Sequence, residues 1–190
     1  MWLVVGVSGV TCGGKSSLAR ALQKAFPGAV LVNQDDYFLP VDSPLHVRAP
    51  GLDHHNWEVL SSLDMERMEA AVKDIISQET ACLRILIVEG FLIFNHEAMS
   101  KLCDRKYYLT LPREETWARR SARVYDPPDP PGYFDKCVWP EYECHRNQVL
   151  ERVSDIVLLD GRKSLADTIQ RVISDLLSTV DQATAGGDSL

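Results

Sequence analysis

Runs of apolar residues alternate along the chain with stretches whose apolar residues recur every three or four positions. The runs predict strands, and the helical spacing predicts helices. The predicted strands are Leu3–Val7, Ala29–Val32, Leu83–Val88, Lys106–Leu111 and Asp155–Leu159, and the predicted helices are Lys15–Phe26, Asp64–Ser77, Arg113–Val124, Asp135–Glu151 and Ser164–Leu177. Ser62 and Ser164 are candidate caps of the second and last helices, and we expect Pro140 to interrupt the fourth. The alternation predicts an α/β fold, with a central parallel sheet of about five strands between two helical layers.

Two stretches break this alternation. Residues 39–58 hold three prolines and three histidines, and Asp126–Gly132 reads Asp-Pro-Pro-Asp-Pro-Pro-Gly. Long irregular excursions in a compact domain are usually lids or binding loops. We therefore predict one domain over residues 1–177, with a substrate-side insertion at about 39–58 and a lid at about 119–135. We expect residues 178–190 to form a disordered tail.

Composition narrows the choice of partners and compartment. With 20 Lys+Arg against 27 Asp+Glu, the formal net charge of the 190 residues is −7, which argues against a nucleic-acid partner. The apolar opening run lacks a basic leader, and no run approaches a membrane span, so we expect no membrane association. The five cysteines include no C-x-x-C pair, which favours reduced thiols in a cytoplasmic protein and argues against zinc. We expect a monomer.

The strongest motif follows the first predicted strand. Residues 9–16 read Gly-Val-Thr-Cys-Gly-Gly-Lys-Ser and fit G-x-x-x-x-G-K-[ST], the P-loop pattern, with a helix directly after it. The glycines let backbone N–H groups converge on an anion, Lys15 neutralises the β- and γ-phosphates, and Ser16 binds Mg²⁺. The predicted nucleoside-triphosphate site comprises Gly9, Val10, Thr11, Cys12, Gly13, Gly14, Lys15, Ser16 and Ser17. GTPases, ATPase motors and small-molecule kinases share this loop, but the chain has no Asn-Lys-x-Asp guanine-binding motif.

Two carboxylates follow the second and third predicted strands. Ligands of an open parallel sheet bind beyond the carboxyl ends of its strands, so Asp35 and Glu89 are expected beside the phosphate loop. Asp35 could accept the proton of an attacking hydroxyl, and Glu89 could hold Mg²⁺ directly or through water. The alternatives are a turn or capping role for Asp35 and a solvent-facing position for Glu89.

Arginines cluster directly before the proline-rich stretch. Arg119 and Arg123 are four positions apart and share a helix face. Arginines on a closing lid can stabilise the charge that develops during phosphoryl transfer. The alternative is a solvated charged face, which is common on helices.

Six segments in this order resemble the nicotinamide riboside kinases, which are uridine-kinase-like P-loop enzymes. The similarity covers residues 1–177 and is carried by Gly-Val-Ser-Gly-Val-Thr-Cys-Gly-Gly-Lys-Ser (6–16), Gln-Asp-Asp-Tyr-Phe (34–38), Glu-Gly-Phe-Leu-Ile-Phe (89–94), Arg-Arg-Ser-Ala-Arg-Val-Tyr (119–125), Pro-Pro-Gly-Tyr-Phe-Asp (130–135) and Val-Trp-Pro (138–140). The resemblance implies ATP- and Mg²⁺-dependent phosphorylation of the 5′-hydroxyl of nicotinamide riboside and nicotinic acid riboside. The product would be a mononucleotide for NAD biosynthesis.

The resemblance also implies roles for individual residues. Asp35 would be the general base, and Ser16, Asp35 and Glu89 would lie at Mg²⁺. The riboside pocket would comprise Asp35, Asp36, Tyr37, Phe38, Trp57, Glu58, Arg120, Tyr125 and Asp126, and ATP would be reached by Arg119, Arg123 and Lys163 in the turn 162–164. Two positions depart from the family pattern, because Glu58 stands where an Asp is usual and Asp126 where an uncharged residue is expected.

Two other functions fit part of this pattern. One is a uridine/cytidine-kinase-like enzyme or another small-metabolite kinase on the same scaffold. The other is a nucleotide-binding regulator without turnover. The presence of Lys15, Ser16, Asp35 and Glu89 together argues against the regulator, because a protein that only binds nucleotide needs no general base.

Overall fold

All strands of the central sheet run parallel, in the order β2-β3-β1-β4-β5. The computed structural model describes residues 1–185. Its strands are β1 (Trp2–Gly9), β2 (Val30–Asn33), β3 (Arg84–Glu89), β4 (Arg105–Thr110) and β5 (Ile156–Asp160), and its helices are α1 (Lys15–Ala25), α2 (Met65–Ser77), α3 (Glu97–Leu102), α4 (Arg113–Ser121), α5 (Trp139–Arg152) and α6 (Leu165–Ala185). The α/β fold predicted from the sequence is confirmed.

The sheet is covered on both faces, which explains why its central strands are almost continuously apolar. Successive residues point to opposite faces, so Val4 and Leu86 pack into a core with α2 and α5. Val5 and Ile87 point the other way, into a core with α1 and α6. Each face therefore has its own buried cluster.

The start of α2 differs from the prediction. Asp64, rather than Ser62, caps the helix, because its Oδ1 accepts a hydrogen bond from the backbone N–H of Arg67 at 3.0 Å. Ser62 lies in the preceding 3₁₀ turn, where its hydroxyl donates to the carbonyl oxygens of Val59 and Trp57. The Ser62 hydroxyl is thus not available to the helix.

Pro140 does not interrupt the fourth predicted helix. A π-helical turn, Phe134–Val138, leads directly into α5, and Pro140 lies in the first turn of that helix. Because the first N–H groups of an α-helix have no partner inside that helix, a proline in the first turn of α5 removes none of the hydrogen bonds within α5. The helix therefore continues through the proline.

The last helix is longer than predicted. Ser164 caps it as expected, since its Oγ accepts from the N–H of Asp167 at 3.0 Å. However, α6 continues to Ala185 and so extends into residues 178–190, the predicted tail, of which 186–190 lie outside the described residues. No Gly or Pro occurs between 165 and 185, so no residue ends the helix at Leu177.

The carboxyl ends of the strands meet at one edge of the sheet. β1 leads there into the phosphate loop, β2 into Asp35, and β3 ends with Glu89. Residues 39–58 and 122–132 lie outside the helices and strands of the sheet, as their proline content predicts. Within residues 1–185, none of the helices combines the length and apolar character that a membrane crossing requires.

Candidate functional site

The phosphate loop is shaped by backbone conformations that few residues adopt. Gly14 directly precedes α1 with φ of 100°, and Cys12 has φ of 58°. Gly9 approaches β4 so closely that a Cβ there would lie 2.1 Å from the carbonyl oxygen of Leu109. The loop ends at the N-terminus of α1. Free backbone N–H groups and the helix dipole favour the binding of an anion there.

Lys15 lies at the floor of this loop, and its Nζ donates to the carbonyl oxygen of Val10 at 2.9 Å. Burial lowers the pKa of its ammonium group, while the negative charges of Glu89 and Asp35 act in the opposite direction. The lysine thus faces both carboxylates predicted for the site.

Asp35 and Glu89 converge on the loop from two neighbouring strands. Asp35 lies in a 3₁₀ turn after β2, and its N–H donates to Asn33 Oδ1 at 3.1 Å. Glu89 is buried, and its Oε1 accepts from Ser16 Oγ at 3.2 Å. Desolvation raises the pKa of each carboxyl, against the effect of the Lys15 charge. Burial therefore makes both groups more basic than free carboxylates.

The oxygen atoms of Ser16, Asp35 and Glu89 fit Mg²⁺ by their chemistry. Hydroxyl and carboxylate oxygens are the ligands that this cation prefers, usually one or two from the protein with phosphates and water completing the shell. In the part of the chain that the structure describes, no group of three or more His, Cys, Asp or Glu side chains could hold a metal alone. Phosphate oxygens or water would complete the shell of a cation bound here.

A cavity of about 410 Å³ opens beside the loop, within the range of small-molecule sites. Its walls come from the phosphate loop, the ends of β2 and β3, the insertion 39–58 and the lid. The predicted residues that line it are Thr11, Cys12, Gly14, Lys15, Ser16, Ser17, Asp35, Phe38, Trp57, Glu58, Glu89, Arg120, Arg123, Tyr125 and Asp126. Residues that the sequence analysis did not assign to the site also line it, namely Leu39, Pro40, Val41, Phe91, Pro127, Asp129 and Tyr133.

Arg120 joins three walls of this cavity, and it is only 6% exposed. Its guanidinium donates to Asp129 Oδ2 at 2.7 Å, to Glu58 Oε1 at 3.2 Å and to Thr11 Oγ1 at 3.2 Å. It also lies over the Tyr125 ring, 4.4 Å from the ring centroid. Burial raises the pKa of Glu58, while the neighbouring Arg120 charge lowers it. The Arg120 guanidinium thus links the lid, the insertion and the phosphate loop.

A smaller cavity of about 210 Å³ lies on the other side of the phosphate loop, and Gly13, Arg119 and Lys163 line it. Arg119 connects the phosphate loop to the turn after β5, donating to the carbonyl oxygen of Cys12 at 3.3 Å and to that of Gly161 at 3.1 Å. The structure therefore separates Arg119 and Lys163 from Arg123, which lines the larger cavity.

Four predicted site residues lie outside both cavities. The carbonyl oxygen of Asp36 accepts a hydrogen bond from Arg67, whose guanidinium is 4.8 Å from the centroid of the Tyr37 ring. Gly9 and Val10 form the back of the loop, where the Val10 side chain is buried. Among the unassigned lining residues, Asp129 and Tyr133 had a sequence signal, because both lie in or beside the proline-rich stretch of the lid.

Comparison with known proteins identifies relatives along nearly the whole chain. No protein-family model matches the sequence. Nicotinamide riboside kinase 1 of Mus musculus is 42% identical over 190 residues, covering 94% of this chain and 96% of the relative. Nicotinamide riboside kinase 2 of Homo sapiens is 37% identical, covering 95% and 83%.

Solved structures support the fold. A sugar kinase from Janibacter superposes with a TM-score of 0.60 at 18% identity, covering 92% of this chain and 94% of its own. Shikimate kinase from Acinetobacter baumannii gives a TM-score of 0.56 at 14% identity, covering 94% and 95%. Likeness at this identity shows the fold alone, whereas the curated relatives show the family. The chain is a phosphotransferase that belongs to the nicotinamide riboside kinase family.

Proposed function

We propose that this chain transfers the γ-phosphate of ATP to the 5′-hydroxyl of nicotinamide riboside, and also accepts nicotinic acid riboside. The observation that carries the proposal is the single cavity in which Lys15 of the phosphate loop, the Asp35 carboxylate and an aromatic wall face one another. The product would be a mononucleotide that supplies NAD biosynthesis, in line with the names of the relatives.

The nucleotide would bind along the phosphate loop. Its phosphate oxygens would accept hydrogen bonds from the backbone N–H groups at the start of α1 and from the Lys15 ammonium group. The smaller cavity beside Arg119 and Lys163 would take the rest of the nucleotide. Ser16, Glu89 and Asp35 would hold Mg²⁺, which neutralises charge on the phosphates when it is bound.

The acceptor would bind between the insertion and the lid. Trp57, Tyr125 and Tyr133 give this part of the cavity flat apolar surfaces suited to a pyridinium ring. Glu58 and Arg120 supply a carboxylate and a guanidinium within one hydrogen-bonded network. Together they can accept from and donate to the ribose hydroxyls through charge-assisted hydrogen bonds.

Asp35 would act as the general base. Its carboxylate takes the proton of the 5′-hydroxyl as the O5′–P bond forms and the bond from the γ-phosphorus to the β,γ-bridging oxygen breaks, releasing ADP. The raised pKa of Asp35 makes it a better proton acceptor than a free aspartate. Lys15 and Arg123 line the same cavity and can stabilise the charge on the transferring group.

Asp126 is the proposed source of selectivity between the two ribosides. It lines the cavity on the lid, close in sequence to Tyr125. Nicotinamide riboside is cationic, whereas nicotinic acid riboside carries the same cation and a carboxylate. A negative charge near the ring would therefore favour binding of nicotinamide riboside over nicotinic acid riboside.

An acceptor panel tests the proposed function. ADP release would be measured with ATP and Mg²⁺ in the presence of nicotinamide riboside, nicotinic acid riboside, uridine, cytidine or no acceptor, and mass spectrometry would identify the products. We expect turnover with both nicotinamide-type ribosides, and faster turnover with the amide. Turnover confined to uridine or cytidine would replace the proposed substrate, and ADP release independent of acceptor would overturn the transferase proposal.

We also propose that the enzyme acts as a monomer in the cytoplasm. All five cysteines are free thiols in the structure, which fits a reducing compartment. Analytical ultracentrifugation of the purified chain would test the monomer, and fractionation of the source cells would test the location.

A further inference from the structure

Residues 39–58, called the strap from here on, fold back on themselves beside the larger cavity, which the proposed function assigns to the acceptor and which is called the acceptor cavity below. Two backbone hydrogen bonds hold the fold-back, from the N–H of Ala49 to the carbonyl of His54 at 2.9 Å and from Asn56 to Val47 at 2.8 Å. The turn between them contains Gly51, whose φ is 64°. This pairing brings His55 beside His46, although the two residues are nine positions apart in the sequence.

The two imidazoles stack and reach the same stretch of backbone. Their centroids are 4.6 Å apart, with the planes inclined by 25°. His46 Nε2 lies 2.9 Å from the carbonyl oxygen of Pro40, and His55 Nε2 lies 3.1 Å from that of Val41. Because a carbonyl oxygen can only accept, each Nε2 carries the proton that it donates. The stacked pair therefore binds the backbone of two consecutive residues, Pro40 and Val41.

Those two residues are the rim of the acceptor cavity, since both Pro40 and Val41 line it. The Nδ1 atoms of His46 and His55 are buried and have no hydrogen-bond partner within residues 1–185. Each ring thus makes its polar contact to the rim alone. The rim gains one further hydrogen bond, from the N–H of Ser43 to the Pro40 carbonyl at 2.9 Å.

The same imidazoles hold the aromatic wall of the cavity. The Trp57 ring meets His46 edge-on at 4.5 Å between centroids and His55 at 5.6 Å. Phe38 meets the indole from another side, at 5.7 Å. Trp57 is therefore fixed by the two histidines that also hold the rim.

We propose that His46 and His55 are positioning residues for the acceptor substrate, because they clamp the Pro40–Val41 rim against Trp57. The proposal rests on the proposed function, in which Trp57 belongs to the riboside wall. Neither imidazole is among the described residues that line the cavity with Lys15 and Asp35. The clamp should therefore govern riboside affinity, with little effect on the transfer step or on ATP.

Paired substitutions separate the hydrogen bond from general packing. His46→Gln keeps an N–H donor at the position of Nε2, whereas His46→Asn places its amide near the position of Nδ1, short of the Pro40 carbonyl. The same pair at His55 tests the bond to Val41. Leu45→Ala changes a strap residue that is 61% exposed and serves as the matched control. KM for nicotinamide riboside, KM for ATP and kcat would be measured for all five variants.

We expect the Asn variants to raise the riboside KM by about 3–10-fold, the loss expected for one hydrogen bond. The Gln variants should lie closer to the parent, and kcat and the ATP KM should change by less than about twofold. Hydrogen exchange of the amides of residues 39–45 gives a readout that needs no substrate. Exchange should be faster in the Asn variants than in the Gln variants.

The outcomes distinguish this inference from the proposed function. A parent enzyme that does not phosphorylate nicotinamide riboside refutes the proposed function, while hydrogen exchange still decides whether the clamp exists. An active parent whose Asn variants keep both the parental riboside KM and the parental exchange rates refutes the clamp. Equal losses in riboside KM, ATP KM and kcat would reveal general destabilisation and would also refute it.

Discussion

The phosphate loop and the strap both line one cavity, but different interactions hold them. The loop is fixed by its own backbone, through the conformations of Cys12 and Gly14 and the close approach of Gly9 to Leu109. The strap has no helix or sheet strand of its own. Backbone hydrogen bonds hold its fold-back, and side chains hold its rim and its aromatic wall. His46 and His55 bind its rim, and the Tyr133 hydroxyl accepts a hydrogen bond from the backbone N–H of Trp57 at 3.0 Å.

This difference matches the two tasks of the site. Triphosphates are alike in every nucleotide, so a rigid backbone cradle suits all of them. An acceptor must be distinguished from similar molecules, and side chains on irregular segments can change without disturbing the sheet. Substitutions in the loop should therefore abolish the chemistry, whereas substitutions in the acceptor wall should shift KM and selectivity.

The largest effect is expected at Lys15. Lys15→Ala removes the ammonium group that faces the phosphates, and loss of one such electrostatic contact costs about 10²–10³-fold or more in kcat. The fold should persist, because no core side chain is lost, and circular dichroism would verify this. Lys24→Ala, an exposed lysine in the last turn of α1, is the control. Near-normal turnover of Lys15→Ala at saturating ATP would contradict the role of the loop.

Asp35→Asn should lower kcat by about 10²–10⁴-fold and leave ATP binding nearly intact. The amide has almost the same shape but cannot take up the hydroxyl proton. Rapid-quench kinetics and ATP titration would measure the two quantities separately. Asp36→Asn is the comparison, since Asp36 is the neighbouring carboxylate but is not among the residues that line the cavity. A greater loss of kcat in Asp36→Asn would transfer the role of base to Asp36.

The raised pKa of Asp35 predicts how activity and stability depend on pH. The base is lost as pH falls through this pKa, so the acid limb of kcat/KM should lie above the pH at which a free aspartate titrates. In the ligand-free enzyme the ionised carboxylate costs stability at neutral pH, because its folded-state pKa exceeds the unfolded value. Asp35→Asn should therefore raise Tm at neutral pH, and the gain should shrink on acidification. A lower Tm for the variant at neutral pH would contradict this.

Glu58→Gln should act on the acceptor side alone. The substitution removes the charge that pairs with Arg120 at 3.2 Å and weakens the acceptor for the ribose hydroxyls. We expect the riboside KM to rise by about tenfold, which corresponds to about 1.4 kcal/mol, with the ATP KM unchanged. Glu114→Gln, at an exposed site on α4, is the control. A matching rise in the ATP KM would show that the acceptor wall and the phosphate loop are not independent.

The smallest effect is expected at Asp126. Asp126→Asn should narrow the preference for nicotinamide riboside over nicotinic acid riboside by about 3–10-fold, mainly by improving kcat/KM for the acid. The control is Asp42→Asn, an exposed carboxylate of the strap that is absent from the cavity lining. An unchanged ratio of the two kcat/KM values would show that Asp126 does not sense the ring.

The same contrast explains which site residues the sequence could predict. Lys15 and Ser16 follow from a local motif, and Asp35 and Glu89 follow from the rule that ligands bind at the carboxyl ends of parallel strands. Asp129 and the Pro40–Val41 rim depend on how the lid and strap fold against the sheet. The bond from Arg120 to Glu58, for example, joins residues 62 positions apart. The resemblance to the family suggested both residues for the pocket, but no sequence pattern indicates that they pair.

The fold shows a similar limit. Apolar runs predict the strands, because the sheet is covered on both faces, and amphipathic spacing predicts the main helices, because one face of each is buried on the sheet. The short helix α3 was missed, since its six residues carry too few repeats to show a period. Its cap is His96, whose Nδ1 accepts from the N–H of Met99 at 3.4 Å. A histidine in this role is not among the usual capping residues.

The central claim is that one cavity joins the phosphate loop to a riboside acceptor and that Asp35 takes the proton of its 5′-hydroxyl. Single-turnover transfer from ATP to nicotinamide riboside tests it most directly, with the parent and Asp35→Asn compared and ³¹P NMR used to locate the phosphate in the product. We predict a 5′-phosphate ester formed rapidly by the parent and at least about 10²-fold more slowly by the variant. A parent that forms no ester, an ester at the 2′- or 3′-hydroxyl, or equal rates for both proteins would contradict the claim.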